Sequence, residues 1–249
     1  MSLGFGRPGN KKTVLKLTDE LGKLAGQTLR QARRVLGNAR RKQGTAGGRG
    51  KAAIRQLAQE IERGSRVVAQ TARRVAGETT IPDRVISLCD YDARTIRRGK
   101  PQKPNEFGYK VALADTPEGF VVAHEVHRGN PYDASTLQPL LQRVKVIGMK
   151  VATVFADRGY GNEIGDRALA AEGIVESVIP RVGRAAPIQS TRKWRRRYRF
   201  RAGAEGRISH LKRRFGLNRT RLKGHAGAQI WVGYGILASN IGRMVALAG

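Results

Sequence analysis

Residues 107–126 read Phe107-Gly108-Tyr109-Lys110-Val111-Ala112-Leu113-Ala114-Asp115-Thr116-Pro117-Glu118-Gly119-Phe120-Val121-Val122-Ala123-His124-Glu125-Val126. Two runs rich in Val and aromatic residues flank Asp115-Thr116-Pro117-Glu118-Gly119, a cluster of turn formers, and this pattern predicts an antiparallel β-hairpin. Outward from it, residues 85–89, 151–156 and 174–179 form three more short β-rich runs, so five strands are expected. Leu137, Leu140, Leu141 and Val144 recur at helical spacing within 134–147, and a further helix fits 162–172. Strands followed by alternating helix and strand imply an α/β domain over residues 84–249, a mixed sheet flanked by helices.

Residues 1–80 have a different texture. Leu17, Leu21, Leu24, Thr28, Ala32 and Val35 recur every three to four positions, after a helix start at Thr18-Asp19-Glu20. The glycines of 44–50 break this helix, and Ile54, Leu57, Ala58, Ile61, Val68, Ala72 and Val75 continue in a second. A helical hairpin is expected, with polar faces carrying Arg30, Arg33, Arg34, Arg40, Arg41 and Lys42. Such a face is either simply solvated or placed against a DNA backbone.

The charge balance favours a polyanionic partner. Lys and Arg number 48 against 19 Asp and Glu, a formal charge of +29, and the resulting field draws nucleic acid. No run of about 18 apolar residues marks a bilayer span and no compact apolar stretch marks a signal peptide, so no membrane partner and a cytoplasmic location are expected. The single cysteine, Cys89, excludes an intramolecular disulfide and a cysteine-cluster zinc site; core packing is its expected role. His124 and His127 read as surface or packing residues. The apolar stretch 231–248 reads as a helix closing the core.

Two carboxylates carry the chemical signal. Asp157 ends the run 151–156 and precedes Arg158-Gly159-Tyr160. A carboxylate at a strand end is held rigidly yet reaches solvent, as a divalent-ion site requires, although a cap or turn role also accounts for an Asp there. Glu205 is an isolated acid in a stretch dense with arginine. In a helix over 204–215, Ala204, Ile208, Leu211 and Phe215 would form the buried stripe, while Glu205, Ser209 and Lys212 share an adjacent face. Two carboxylates with a cation beside them match a phosphoryl-transfer site on nucleic acid. Just upstream, Arg192, Lys193, Arg195, Arg196, Arg197, Arg199 and Arg201 surround Trp194 and Tyr198, a pattern suited to phosphate contact and base stacking.

The spacing Tyr198, two residues, Arg201, three residues, Glu205, six residues, Lys212 resembles the signature around the last acidic residue of the DDE transposases of bacterial insertion sequences. Ala156-Asp157-Arg158-Gly159-Tyr160 is similar to the motif around the middle acidic residue of that family. The resemblance covers residues 84–245, including Phe107-Gly108-Tyr109-Lys110, Gly129-Asn130-Pro131-Tyr132-Asp133 and Trp231-Val232-Gly233-Tyr234-Gly235. It implies an RNase H-like fold, two Mg²⁺ or Mn²⁺ ions, and DNA strand cleavage and transfer by a homo-oligomer on paired DNA ends. Carried over, Asp157 and Glu205 are metal ligands, and Tyr198, Arg201 and Lys212 hold the DNA near the scissile phosphate.

The family needs a third, earlier acidic residue. Asp90, at the end of the run 85–89, would complete the set. The resemblance places that residue instead in an Asp-Thr or Asp-Ser pair opening a strand upstream of a helical insertion, with residues 1–80 as the insertion. On that basis the chain is expected to be an N-terminally truncated transposase lacking its first catalytic Asp. The competing expectation is a non-catalytic basic nucleic-acid-binding protein.

Overall fold

The computed structural model describes residues 8–100, 103–181, 189 and 191–249. They form two compact units, Met1–Tyr91 and Asp92–Gly249.

The first unit is a pair of long helices, α1 (Pro8–Arg41) and α2 (Gly48–Val75), separated at Gln43–Thr45 by a single 3-10 turn. The expected break lies at 42–47, with Gly48 and Gly50 already in α2, and α1 begins at Pro8 rather than at the start expected at Thr18. The helices run antiparallel: Gly22 of α1 lies against Thr71, and a Cβ on Gly64 of α2 would stand 2.8 Å from Leu29. Gly64 therefore permits close packing and does not end the helix. The buried face differs from the expected one. Leu36 and Ile61 are buried, whereas Leu17, Leu21, Leu24 and Val35 are more than half exposed. Close approach at the glycines selects the Gly22, Leu29 and Leu36 side of α1 for contact.

No strand forms over 85–89. Both backbone polar groups of buried Val85 are taken by the Gln70 amide, which accepts from Val85 N at 2.9 Å and donates to Val85 O at 2.7 Å. A side chain thus does what a neighbouring strand would do. Cys89 is exposed, contrary to its expected core role, because Val85 is the residue of this segment that is buried.

In the second unit, β1 (Arg94–Lys100), β2 (Lys103–Asp115) and β3 (Val121–Arg128) make an antiparallel sheet in the order β1-β2-β3. The hairpin expected over 107–126 is β2–β3, with Val111 opposite Val126 and Leu113 opposite His124. Its turn closes through Gly119 N donating to Thr116 O at 2.9 Å, with Gly119 at φ +92°. Strand β1 was not expected, since Arg94-Thr95-Ile96-Arg97 lacks the apolar alternation of a buried strand. It pairs only with the first half of β2, where Arg94 faces Gly108, and charged residues are usual on such an edge.

The remaining strands, β4 (Thr153–Phe155) and β5 (Glu176–Val178), form a separate parallel pair. The single mixed sheet expected from the sequence is therefore divided in two, although the α/β character holds. Among the described residues no strand pairs across from β2 to β4. Helix α3 (Leu137–Val146) joins the two sheets through side chains alone. Its Leu140 and Val144 pack on Ala112 and Ala123, while Leu137 and Leu141 pack with Ala168 and Leu169 of α4 (Glu163–Ala171), close to Val154.

The C-terminal part comprises α5 (Arg192–Tyr198), α6 (Ala202–Arg214) and α7 (Gly224–Ala248). Leu211 of α6 and Ala228, Val232 and Ile236 of α7 bury against Val121 and Val126 of β3. Asn240 ties α7 to the same strand, exchanging both hydrogen bonds with the Val121 backbone at 2.9 and 3.0 Å. By length and composition alone α7 is apolar enough to cross a bilayer, although Gln229, Asn240 and Arg243 interrupt its apolar residues. Its first half packs on β3 through Ala228, Val232 and Ile236, whereas Leu237, Ile241, Val245 and Leu247, expected to close the core, are more than half exposed.

Candidate functional site

The loop after β4 is built to hold Asp157 still. Asp157 starts a 3-10 turn, Arg158–Tyr160, yet its side chain makes no capping hydrogen bond, so the capping role weighed for it is not the one it plays. Around it, the stretches singled out in the sequence converge. Lys110 Nζ pairs with Asp133 Oδ1 at 2.6 Å and donates to Pro131 O at 2.6 Å. Asp133 lies against Gly159, where a Cβ would meet Asp133 Oδ2 at 2.6 Å. Asn162 caps α4 by accepting from Ile164 N and Gly165 N, and its amide donates to Gly159 O at 3.0 Å and to the Tyr132 hydroxyl at 3.2 Å. Gly161 has no room for a side chain, because the Pro180 carbonyl fills the space. Burial raises the pKa of the neighbouring Tyr160 hydroxyl, keeping it protonated. Residues 159 to 162 are thus closely packed, and the Asp157 carboxylate, 60% exposed, projects beside them.

Helix α5 is anchored over the β4–β5 pair. Thr191 caps it, accepting from Trp194 N at 3.2 Å. Arg197 pairs with Glu176 of β5 at 2.5 Å and lies over the Phe155 ring. Hydrogen bonds from Arg197 and Thr153 hold the Glu176 carboxyl down at about 2. Arg197 thus serves as an anchor to the sheet, while Arg195 and Arg196 on the same helix are exposed. Trp194 and Tyr198 stack on each other with centroids 5.0 Å apart, and the Arg201 guanidinium sits 5.1 Å from the Tyr198 ring centre.

Glu205 lies in the first turn of α6. The position of that helix is set by Leu211, 1% exposed, and by an ion pair between Arg207 Nε and Asp115 Oδ2 at the end of β2. Of the stripe expected to be buried, Leu211 is in the core but Ile208 is 41% exposed; Arg207 occupies the side of the helix facing β2 instead. Neither this pair nor Arg197–Glu176 was foreseen. Asp115 had the look of a turn former, and Arg207 stands in a stretch where arginine is too common to single one out.

Arg201 brings the site together. Its Nη1 donates to Glu205 Oε1 at 2.7 Å and to Asp157 Oδ1 in a still shorter contact. One nitrogen bonded to both means that the two carboxylate oxygens lie no more than about 5 Å apart. The carboxylates raise the Arg201 pKa against the opposing effect of burial. Burial, reinforced by Asp157 and Glu205 and opposed by Arg201, raises the pKa of Tyr198. Lys212 is on the same helix as Glu205, half-buried. Asp90 belongs to the first unit, where its backbone NH donates to Ser87 Oγ at 3.1 Å.

Hard oxygen donors at this spacing suit Mg²⁺, which takes one or two protein carboxylates at about 2.0–2.1 Å and completes its shell with water and substrate phosphate. A closure of roughly 1 Å would let both oxygens reach one ion. Among the described residues no third His, Cys, Asp or Glu joins the pair. The donor set is right in kind and is a pair where the resemblance implies a triad.

Comparison with curated proteins and with solved structures found no match. The family model described as the transposase DDE domain matches residues 83–241, well over half of the sequence and inclusive of both carboxylates. With these two acids, their arginine and their supporting loop inside the matched region, the chain belongs to the transposase DDE domain family.

Proposed function

We propose that this chain is built for metal-dependent cleavage and transfer of the DNA of a bacterial insertion sequence, with Asp157 and Glu205 as ligands of the catalytic ions, and that these two acids alone bind the ions without supporting strong cleavage. The observation that carries this reading is the convergence of these two carboxylates, 48 residues apart in sequence, on the single Arg201 nitrogen. A divalent ion held there would polarise the scissile phosphate and activate the attacking oxygen. Asp157 and Glu205 would orient that ion from a clamped loop and a helix pinned by Leu211. Exposed Arg195 and Arg196 would contact backbone phosphates, and Trp194 and Tyr198 would offer a stacking surface. Lys212, on the Glu205 helix, would neutralise charge near the reacting phosphate.

The two sheets bridged by α3, with the second carboxylate following β4, support an RNase H-like reading of residues 84–249, and the basic helical pair of 1–80 is read as an insertion. DNA ends and target are the proposed partners, in a cytoplasmic homo-oligomer. A pair of acids holds the ions less firmly than three, so cleavage needs a third carboxylate besides this pair.

The test is calorimetric titration of the full chain with Mn²⁺ together with a plasmid-nicking assay. Mn²⁺ binding lost in both Asp157→Asn and Glu205→Gln, without strong nicking, is the expected result. Strong nicking abolished by Asp157→Asn would show that this pair of acids supports cleavage without a third. A non-catalytic nucleic-acid binder would show no Mn²⁺ binding, and Glu205→Gln would leave its DNA affinity equal or tighter.

A further inference from the structure

We infer that Arg201 is the metal site's built-in competitor: its guanidinium holds the place between Asp157 and Glu205, and a divalent ion enters by displacing it. The inference rests on the metal-binding reading above and adds a control element to it. One Nη1 bonds Asp157 Oδ1 and Glu205 Oε1 together, so a guanidinium already stands between the two carboxylates that would hold an ion. An ion held by both acids would have this positive group beside it, and two cations so close repel strongly.

The surroundings provide somewhere for the displaced group to go. Tyr198 lies beneath the Arg201 guanidinium at 5.1 Å, so the side chain keeps a cation–π platform when it leaves the carboxylates. From there its planar fork is free to take a phosphate oxygen of DNA bound at the ion. Metal-free protein thus keeps its two acids paired, with one of their two negative charges offset. Metal and DNA together release the arginine to the nucleic acid.

Displacement makes metal binding weaker than the carboxylates alone would allow, by the fraction of molecules in which the site is free of arginine. Two ion pairs to half-exposed carboxylates correspond to roughly a tenfold effect. The experiment is Mn²⁺ titration of the full chain by calorimetry, with electron paramagnetic resonance counting free Mn²⁺, on the wild type, Arg201→Ala, Arg201→Lys and Asp157→Asn. Arg201→Ala should bind Mn²⁺ about tenfold more tightly, and Arg201→Lys should fall between it and the wild type, because a lysine cannot bridge both acids with the same geometry. Thermal melting of each variant guards against misfolding. A merely structural arginine would weaken binding when removed, so equal or weaker Mn²⁺ binding by Arg201→Ala overturns the inference. If the wild type binds Mn²⁺ no better than Asp157→Asn, the metal-site reading fails and the inference with it; if only the arginine variants miss their expected order, the metal site stands and the competitor does not.

Discussion

Replacing Leu211 by alanine is the most direct test of how α6 is positioned. Leu211 is 1% exposed and touches the cluster of Val121, Val126, Ala228, Val232 and Ile236. The substitution removes three carbon atoms from this contact, a transfer loss of about 2.4 kcal/mol at ~0.8 kcal/mol per methylene. Strand β3 and α7 both line this contact and are tied together through Asn240, so the space closes poorly and the cavity adds up to roughly 2 kcal/mol more. The expected cost is about 2.5–4.5 kcal/mol. Guanidinium unfolding followed by tryptophan fluorescence reads the correct unit, since Trp194 and Trp231 both lie in it. The companion variant is Ile208→Ala, one turn earlier and 41% exposed, with an expected cost below about 1 kcal/mol. A loss under about 1.5 kcal/mol for Leu211→Ala, or an equal loss in the two variants, would show that α6 does not present this face to the core.

Other outcomes follow from the same contacts. Gln70→Leu should cost about 2 kcal/mol or more in thermal or denaturant unfolding, because it leaves both backbone groups of buried Val85 unpaired; no change would mean that the segment is held otherwise. For Glu176, the folded-state pKa of about 2 is below the ordinary carboxylate value of about 4.3. Its stabilisation is therefore complete above roughly pH 4.5 and fades as the pH falls toward 2. The midpoint gap between wild type and Glu176→Gln should be open at pH 6 and shut near pH 2, and a gap independent of pH would contradict the pairing. The double variant Arg195→Ala/Arg196→Ala should lower the slope of log affinity for duplex DNA against log salt by about 2, roughly 0.9 per lost phosphate contact. An unchanged slope would remove α5 from the DNA interface.

Much of the fold was readable because strong local patterns were decided locally. The β2–β3 hairpin announced itself through Asp115-Thr116-Pro117-Glu118-Gly119, and the spacing of Leu137, Leu140, Leu141 and Val144 placed α3. What escaped was decided by partners distant in sequence. Val85 looks like a strand residue, but a glutamine fifteen positions away satisfies its backbone. Strand β1 reads as a basic loop, because an edge strand needs no apolar alternation. The buried side of α1 was misjudged since glycine contacts, invisible to hydrophobic spacing, chose it. At the site, Asp157 and Glu205 stood out by context and spacing, and the structure places them at one nitrogen. That Arg201 would join them could not be read from a stretch in which nearly every other residue is basic.

The two ion pairs that α6 makes to the sheet ends acquire a mechanical meaning when taken as a set. Arg201, at the start of the helix, holds Asp157 beyond β4, and Arg207 holds Asp115 at the end of β2. The sheets bearing these aspartates share no backbone pairing among the described residues. Six residues of helix rise about 9 Å, so α6 acts as a ruler laid across two plates that α3 also bridges, its length setting how far apart the two aspartates stand. An inserted or deleted residue between Arg201 and Arg207 would turn one grip away from its aspartate by about 100° while leaving both plates intact. The spacing of the acidic site is thus written in helical phase rather than in strand register.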